Sequence, residues 1–171
     1  MLLMGVLFAG LALGETTIMG GSGNAIPGKP GMVSISIQSD ESVSAIQFTL
    51  AIPAGVGITG VVGTASSNPD KTVQCIGLNC VLFGLNNTPI PNGVPGTITF
   101  ATDTTFSQAQ TIALTNVLGS SPTGQPVAIT STPITLTVGV VCPDPNGDGI
   151  TNILDVQLTV NAAIGGQCIG N

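Results

Sequence analysis

Residues Met32–Gln38, MVSISIQ, alternate between apolar and polar side chains. Successive side chains of a strand point to opposite faces, so a period of two predicts a half-buried strand. The same reading predicts strands at Thr16–Met19, Val43–Ile52, Val56–Val62, Thr72–Cys75, Cys80–Leu85, Gly96–Ala101, Gln110–Leu118, Val127–Thr130 and Ile134–Val141. Turn formers punctuate the series: SDES at Ser39–Ser42, NNTPIPNG at Asn86–Gly93, and a Gly/Pro-rich connection before Met32. Short strands at regular spacing with turn signals between them predict an all-β fold, a sandwich of two sheets. Two stretches depart from that period. Ile153, Leu154, Val156, Leu158, Val160 and Ile164 recur at mixed i+3/i+4 spacing, which predicts a helix closed by Gly165-Gly166. Residues Met1–Gly14, MLLMGVLFAGLALG, are apolar and uncharged, and too short to span a membrane as a helix.

Composition narrows the class. Of 171 residues, 43% are hydrophobic, enough for a core, yet only 6% are charged against a usual ~25%. Such a polar but uncharged surface suits a β-rich extracellular structural protein. The basic residues are Lys29 and Lys71 alone, at a net charge of −6, which excludes a nucleic-acid surface. The chain has no His, so His-activated nucleophiles and His-ligated metals are excluded. Carboxylate-pair chemistry would have to come from Asp40, Glu41, Asp70 and Asp103, and the first two are neighbours in a turn. There is no Trp or Tyr on which a sugar ring would stack. The chain is therefore expected to be no enzyme.

Three of the eight acidic residues converge on one short stretch. It reads Asp144-x-Asn146-x-Asp148-Gly149-Ile150-x-Asn152-x-x-Asp155. Oxygen side chains fall at positions 1, 3, 5, 9 and 12 of a twelve-residue loop, with glycine at position 6 for the sharp turn. Ile150 would add its backbone carbonyl at position 7. Hard oxygen ligands at this spacing predict a Ca2+ site made of Asp144, Asn146, Asp148, Ile150, Asn152 and Asp155. The competing reading is an Asp/Asn/Gly-rich turn ahead of a capped helix. The four cysteines form two local pairs. Cys75 and Cys80 bracket IGLN between apolar runs, and Cys142 and Cys168 bracket the loop-helix unit. Disulfides in an oxidising compartment are the expectation; zinc is the rival, without CxxC spacing or His to support it. Asn86-Asn87-Thr88 is a glycosylation sequon on a predicted loop.

The loop and helix resemble one repeat of a dockerin, the calcium-binding module of bacterial extracellular assemblies. The matching residues are Asp144, Asn146, Asp148, Gly149, Asn152 and Asp155, followed by VQLTVNAAIG. A complete dockerin has two such repeats and many carry small hydroxyl residues at loop positions 10 and 11, where this chain has Ile153 and Leu154. The preceding stretch resembles a cohesin over about Thr16–Val141. The motifs are PGKPGMVSISIQ, SAIQFTLAIP, VLFGLN, NGVPGTITF and ITLTV. That resemblance implies a jelly-roll, Ig-like sandwich of nine strands.

The expected organisation is thus an apolar N-terminal segment 1–14, a cohesin-like sandwich 15–141 and a calcium loop-helix unit 142–171. The segment 1–14 reads either as a signal-peptide core, with a small-residue cleavage site before Glu15, or as an element donated to a neighbouring subunit's sheet. The expected function is a secreted structural subunit that binds copies of itself head to tail in a filament or surface assembly. The alternative is a scaffold or adhesion module of a polysaccharide-degrading system that pairs with cohesin- or dockerin-bearing proteins.

Overall fold

The computed structural model describes residues 15–139 and 152–163. The strands are β1 (Thr16–Gly20), β2 (Ser22–Ala25), β3 (Gly31–Ser39), β4 (Ala45–Ala51), β5 (Ile58–Ser66), β6 (Thr72–Ile76), β7 (Asn79–Phe83), β8 (Gly93–Thr102), β9 (Gln110–Ser120), β10 (Pro126–Val127), β11 (Ile129–Thr132) and β12 (Ile134–Val138). One helix follows, α1 (Ile153–Ala163). The strands form two sheets. The smaller has the order β11-β1-β3-β8-β5, and the larger β2-β12-β9-β4-β7-β6, with β10 paired to β9. This is the expected all-β sandwich.

Alternation builds the core. In β3, Val33, Ile35 and Ile37 are buried while Met32, Ser34 and Gln38 face solvent. Ile46, Phe48 and Leu50 of β4, Ile98 and Phe100 of β8, Ile112 and Leu114 of β9, and Ile134 and Leu136 of β12 fill the same space. Each such side chain contributes roughly 1.5–3 kcal/mol on burial.

The first and last strands each serve both sheets. The chain passes from β1 to β2 at Gly21 and from β11 to β12 at Pro133. β1 pairs in parallel with β11, from Thr16↔Ile129 to Met19↔Thr132. β2 pairs in parallel with β12, from Ser22↔Thr135 to Ala25↔Val138. At the crossing the two chains nearly touch: a Cβ on Gly20 would lie 2.4 Å from the backbone N of Ile134. Only glycine allows that approach. The parallel pairing also fixes where the chain enters and leaves. Thr16 and Val138 stand at opposite ends of the sandwich.

A register shift shapes the larger sheet. Between the pairs Gln47↔Leu118 and Thr49↔Thr115, β9 carries one residue more than β4. Asn116 takes φ +50° there, a conformation that Asn tolerates better than most residues. The bulge returns Leu118 to the outer surface, opposite Gln47.

Cys75 and Cys80 are joined, directly opposite each other in the β6–β7 hairpin, with Cα atoms 4.0 Å apart. β6 is an edge strand, so this bond and the ladder to β7 hold it within its sheet. Replacing both cysteines with alanine is expected to lower stability by about 2 kcal/mol, from the entropy of closing so short a loop. Denaturant unfolding of the double variant against the parent under oxidising conditions measures it.

Candidate functional site

The outer surface of the larger sheet is built by the positions that alternate with the core. Two rows cross it. One runs Leu118 (β9), Gln47 (β4), Val81 (β7), Gln74 (β6); the next runs Thr115, Thr49, Asn79, Ile76. The Thr49 hydroxyl donates to Asn79 Oδ1 at 2.9 Å, and the Thr115 hydroxyl to Thr49 O at 3.3 Å. These bonds tie β9, β4 and β7 together on the outside as the ladder does within. Gln47, Gln74, Ile76, Asn79, Val81 and Phe83 line an open hollow of about 400 Å3. Ile76 is 78% exposed and Leu118 64%.

The strands of both sheets carry no charged residue. What separates their outer surfaces is shape and chemistry. The smaller sheet presents hydroxyls, from Thr17, Ser34, Ser36, Thr97, Thr99 and Thr130, together with the exposed Met32 and Val62. The larger presents apolar side chains with amides beside them. A rigid, uncharged, apolar hollow edged by amides can bind an apolar helix face while satisfying its rim. Sequence reasoning did not assign this surface. The available signal was the run CVLF at β7, which is apolar on both faces where a solvated strand would alternate.

The helix α1 is opened by a reciprocal cap. Asn152 Oδ1 accepts from the backbone N–H of Leu154 at 2.8 Å, and Asp155 Oδ2 accepts from the backbone N–H of Asn152 at 2.7 Å. This is the capping-box pattern with Asn and Asp in the two roles. Asp155 is buried, 2% exposed, and its Oδ1 has no hydrogen-bond partner among the described residues. A buried carboxylate oxygen left so is costly, and a cation would satisfy it. Asp155 therefore fits the role of a metal ligand. Asp144, Asn146, Asp148 and Ile150 lie outside the described residues, as do Cys142, Cys168 and the segment 1–14. On α1, Ile153, Leu154, Val156, Leu158 and Val160 are all exposed among the described residues.

Asn86 is exposed on the loop after β7, and its Oδ1 accepts from the Thr88 hydroxyl at 2.8 Å. The sandwich carboxylates lie in turns. Asp40 donates its backbone N–H to Glu15 O, and Asp103 closes a turn. The Thr105 hydroxyl and then its backbone N–H hold the Asp103 carboxyl below the usual value. Among the described residues no helix is long and apolar enough to cross a membrane.

The two-sheet sandwich matches the fold of solved cohesins. A non-cellulosomal cohesin from the hyperthermophilic archaeon Archaeoglobus fulgidus aligns with TM-score 0.55 at 20% identity, over 74% of this chain and 92% of its own. The seventh ScaB type I cohesin of Pseudobacteroides cellulosolvens gives 0.58 at 16%, over 76% and 96%. A type I cohesin–dockerin complex from Clostridium thermocellum gives 0.58 at 12%, over 73% and 99%. No family model matches the chain, and no curated protein matches it.

Proposed function

We propose that this chain is a non-catalytic, secreted cohesin-type module of an extracellular scaffold or adhesion system, which takes an apolar helix on the outer surface of its larger sheet. The observation that carries the reading is the uncharged hollow over β4, β7 and β6 in a cohesin fold. The neighbours solved as complexes with dockerins support a dockerin-type partner. The test is binding of the full chain to a panel of dockerin-bearing proteins by calorimetry, in calcium. Saturable one-to-one binding is expected; its absence across the panel counts against the module reading.

A second reading rests on a separate observation, the exposed apolar side chains of α1. The chain carries both a hollow and a helix that suits it, so copies can join head to tail, an open contact that gives filaments unless it closes. The segment 1–14 is a further candidate for such joining. Sedimentation of the full chain across concentration tests it: growth beyond a monomer is expected, and a monomer throughout removes the filament reading.

Calcium belongs to the same proposal. Asp144, Asn146, Asp148, Ile150, Asn152 and Asp155 would hold the ion, and the ion would supply the charge that gathers the carboxylates and steadies the start of α1. Asp155→Asn keeps an oxygen for the helix cap but removes a ligand charge. Its calcium affinity is expected to fall by more than about tenfold, given the dependence of such sites on ligand charge. Calcium-dependent amide protection along α1, read by hydrogen exchange, should weaken in parallel. Equal calcium affinity in the variant and the parent would remove Asp155 from the site.

A further inference from the structure

The helix α1 shows no charge on its outside. Its one ionic residue, Asp155, is buried, and every other residue from Ile153 to Asn161 is exposed among the described residues. A surface helix usually sets charged residues opposite a single apolar stripe. Here there are two apolar stripes. Residues three, four and seven apart share a helix face, so Ile153, Val156 and Val160 form one stripe, and Leu154 and Leu158 form the other. Leu158 stands three residues from Asp155 and shares the side of that buried carboxylate. The Ile153–Val156–Val160 stripe is turned away from it. Ile153 is 75% exposed, against 41% for Leu158.

The hollow fits that stripe in length and in charge. Leu118, Gln47 and Val81 lie side by side on three adjacent strands. Two strand spacings of ~4.8 Å make that row about 10 Å long. Ile153 and Val160 are seven residues apart, which at ~1.5 Å per residue is also about 10 Å. A helix laid across the strands therefore sets its end side chains over Leu118 and Val81, with Val156 near Gln47. Gln157, exposed at the margin of the stripe, carries a donor and an acceptor for the amides of Gln47 and Gln74. Neither surface carries an exposed charge. A charged helix would lose its water there and find no counter-ion. Leu118 is 64% exposed and Ile76 78%, so the chain's own α1 does not cover the hollow.

We propose that α1 of one copy lies across the larger sheet of the next, with Ile153, Val156 and Val160 seated on the row Leu118, Gln47 and Val81. This contact rests on the head-to-tail reading and gives it a register. It selects the chain's own helix by excluding charge, where many interfaces select by pairing it.

The test is sedimentation of the full chain in calcium, for the parent and a set of charge variants. Gln47→Lys and Val156→Asp are each expected to weaken self-association by about tenfold or more, since each buries a charge without a partner. Carried together on one chain they set an ammonium opposite a carboxylate, and association is expected to return. Such a rescue also shows that neither single variant had merely unfolded. Leu158→Lys, on the other stripe, is expected to leave association unchanged. Either single variant associating as the parent does overturns this contact. So does loss of association in the Leu158 variant, or a double variant that is not rescued. In those cases the head-to-tail reading still stands on the parent's growth with concentration. A parent that stays monomeric at every concentration removes both.

Discussion

Phe48→Ala is expected to lower the unfolding free energy by about 3–5 kcal/mol, the usual cost of removing a buried aromatic ring and leaving its cavity. Phe48 is 0% exposed on β4, a strand with neighbours on both sides, where it lies opposite Cys80. The chain has five Phe and no Trp or Tyr, and among the described residues Phe48, Phe100 and Phe106 are fully buried. Little other large volume is available to collapse into the gap. Against a total stability of about 5–15 kcal/mol the loss is large. Met32→Ala is the control: Met32 is 62% exposed, and its loss is expected to stay within about 0.5 kcal/mol. Urea unfolding followed by far-UV circular dichroism reads both. A Phe48 variant no weaker than the Met32 variant would show that the core is not centred between β4 and the facing sheet.

Val81→Asp is expected to weaken partner binding by about thirtyfold or more while leaving the fold intact. Val81 points outward at the middle of the hollow, between Gln47 on one side and Gln74 on the other. A carboxylate there would lose its water on docking and find no cation, since neither neighbouring strand carries a charge. An unpaired charge buried in an interface costs about 2–5 kcal/mol, and each 1.4 kcal/mol is tenfold in affinity. The position is outside the core, so the unfolding midpoint should barely move. Calorimetry against whichever partner the full chain binds, a dockerin-bearing protein or its own copies, gives the answer. Unchanged affinity would move the docking site off this surface.

Much of the sandwich was legible because its alternation is strong. The inward set of β3 is read directly from VSISI, and that of β4 from IQFTL. What was not legible has physical causes. β2 reads SGNA, with no apolar period, and becomes a strand only because β12 lies beside it. The nine strands implied by the resemblance appear as twelve segments, since the first and last strands each divide between two sheets and β10 adds a short pair. β5 runs Ile58–Ser66 rather than Val56–Val62: register shifts at Ile58/Gly60 and Val61/Gly63 interrupt its ladder, and pairing with β8 continues to Ser66↔Gly96. β7 ends at Phe83, short of the expected Leu85, and the next residue, Gly84, lies close against the Asp70 backbone and the Lys71 side chain. The hollow needed the structure, since alternation says which residues face outward but not which outer surface is hollowed. Of the expected calcium loop, only Asn152 and Asp155 fall among the described residues; their use as a reciprocal helix cap follows from the helix start falling at Ile153.

The parallel terminal ladders have a mechanical meaning. Because Thr16 and Val138 stand at opposite ends, tension along a chain of such modules would drag β1 and β2 one way and β11 and β12 the other. The load then lies along the strands, across the hydrogen bonds. All the bonds of a ladder must yield together in such shear, whereas a hairpin pulled from one end peels open bond by bond. In a sandwich wired this way, tension between the two ends would be met as shear along the β1–β11 and β2–β12 ladders.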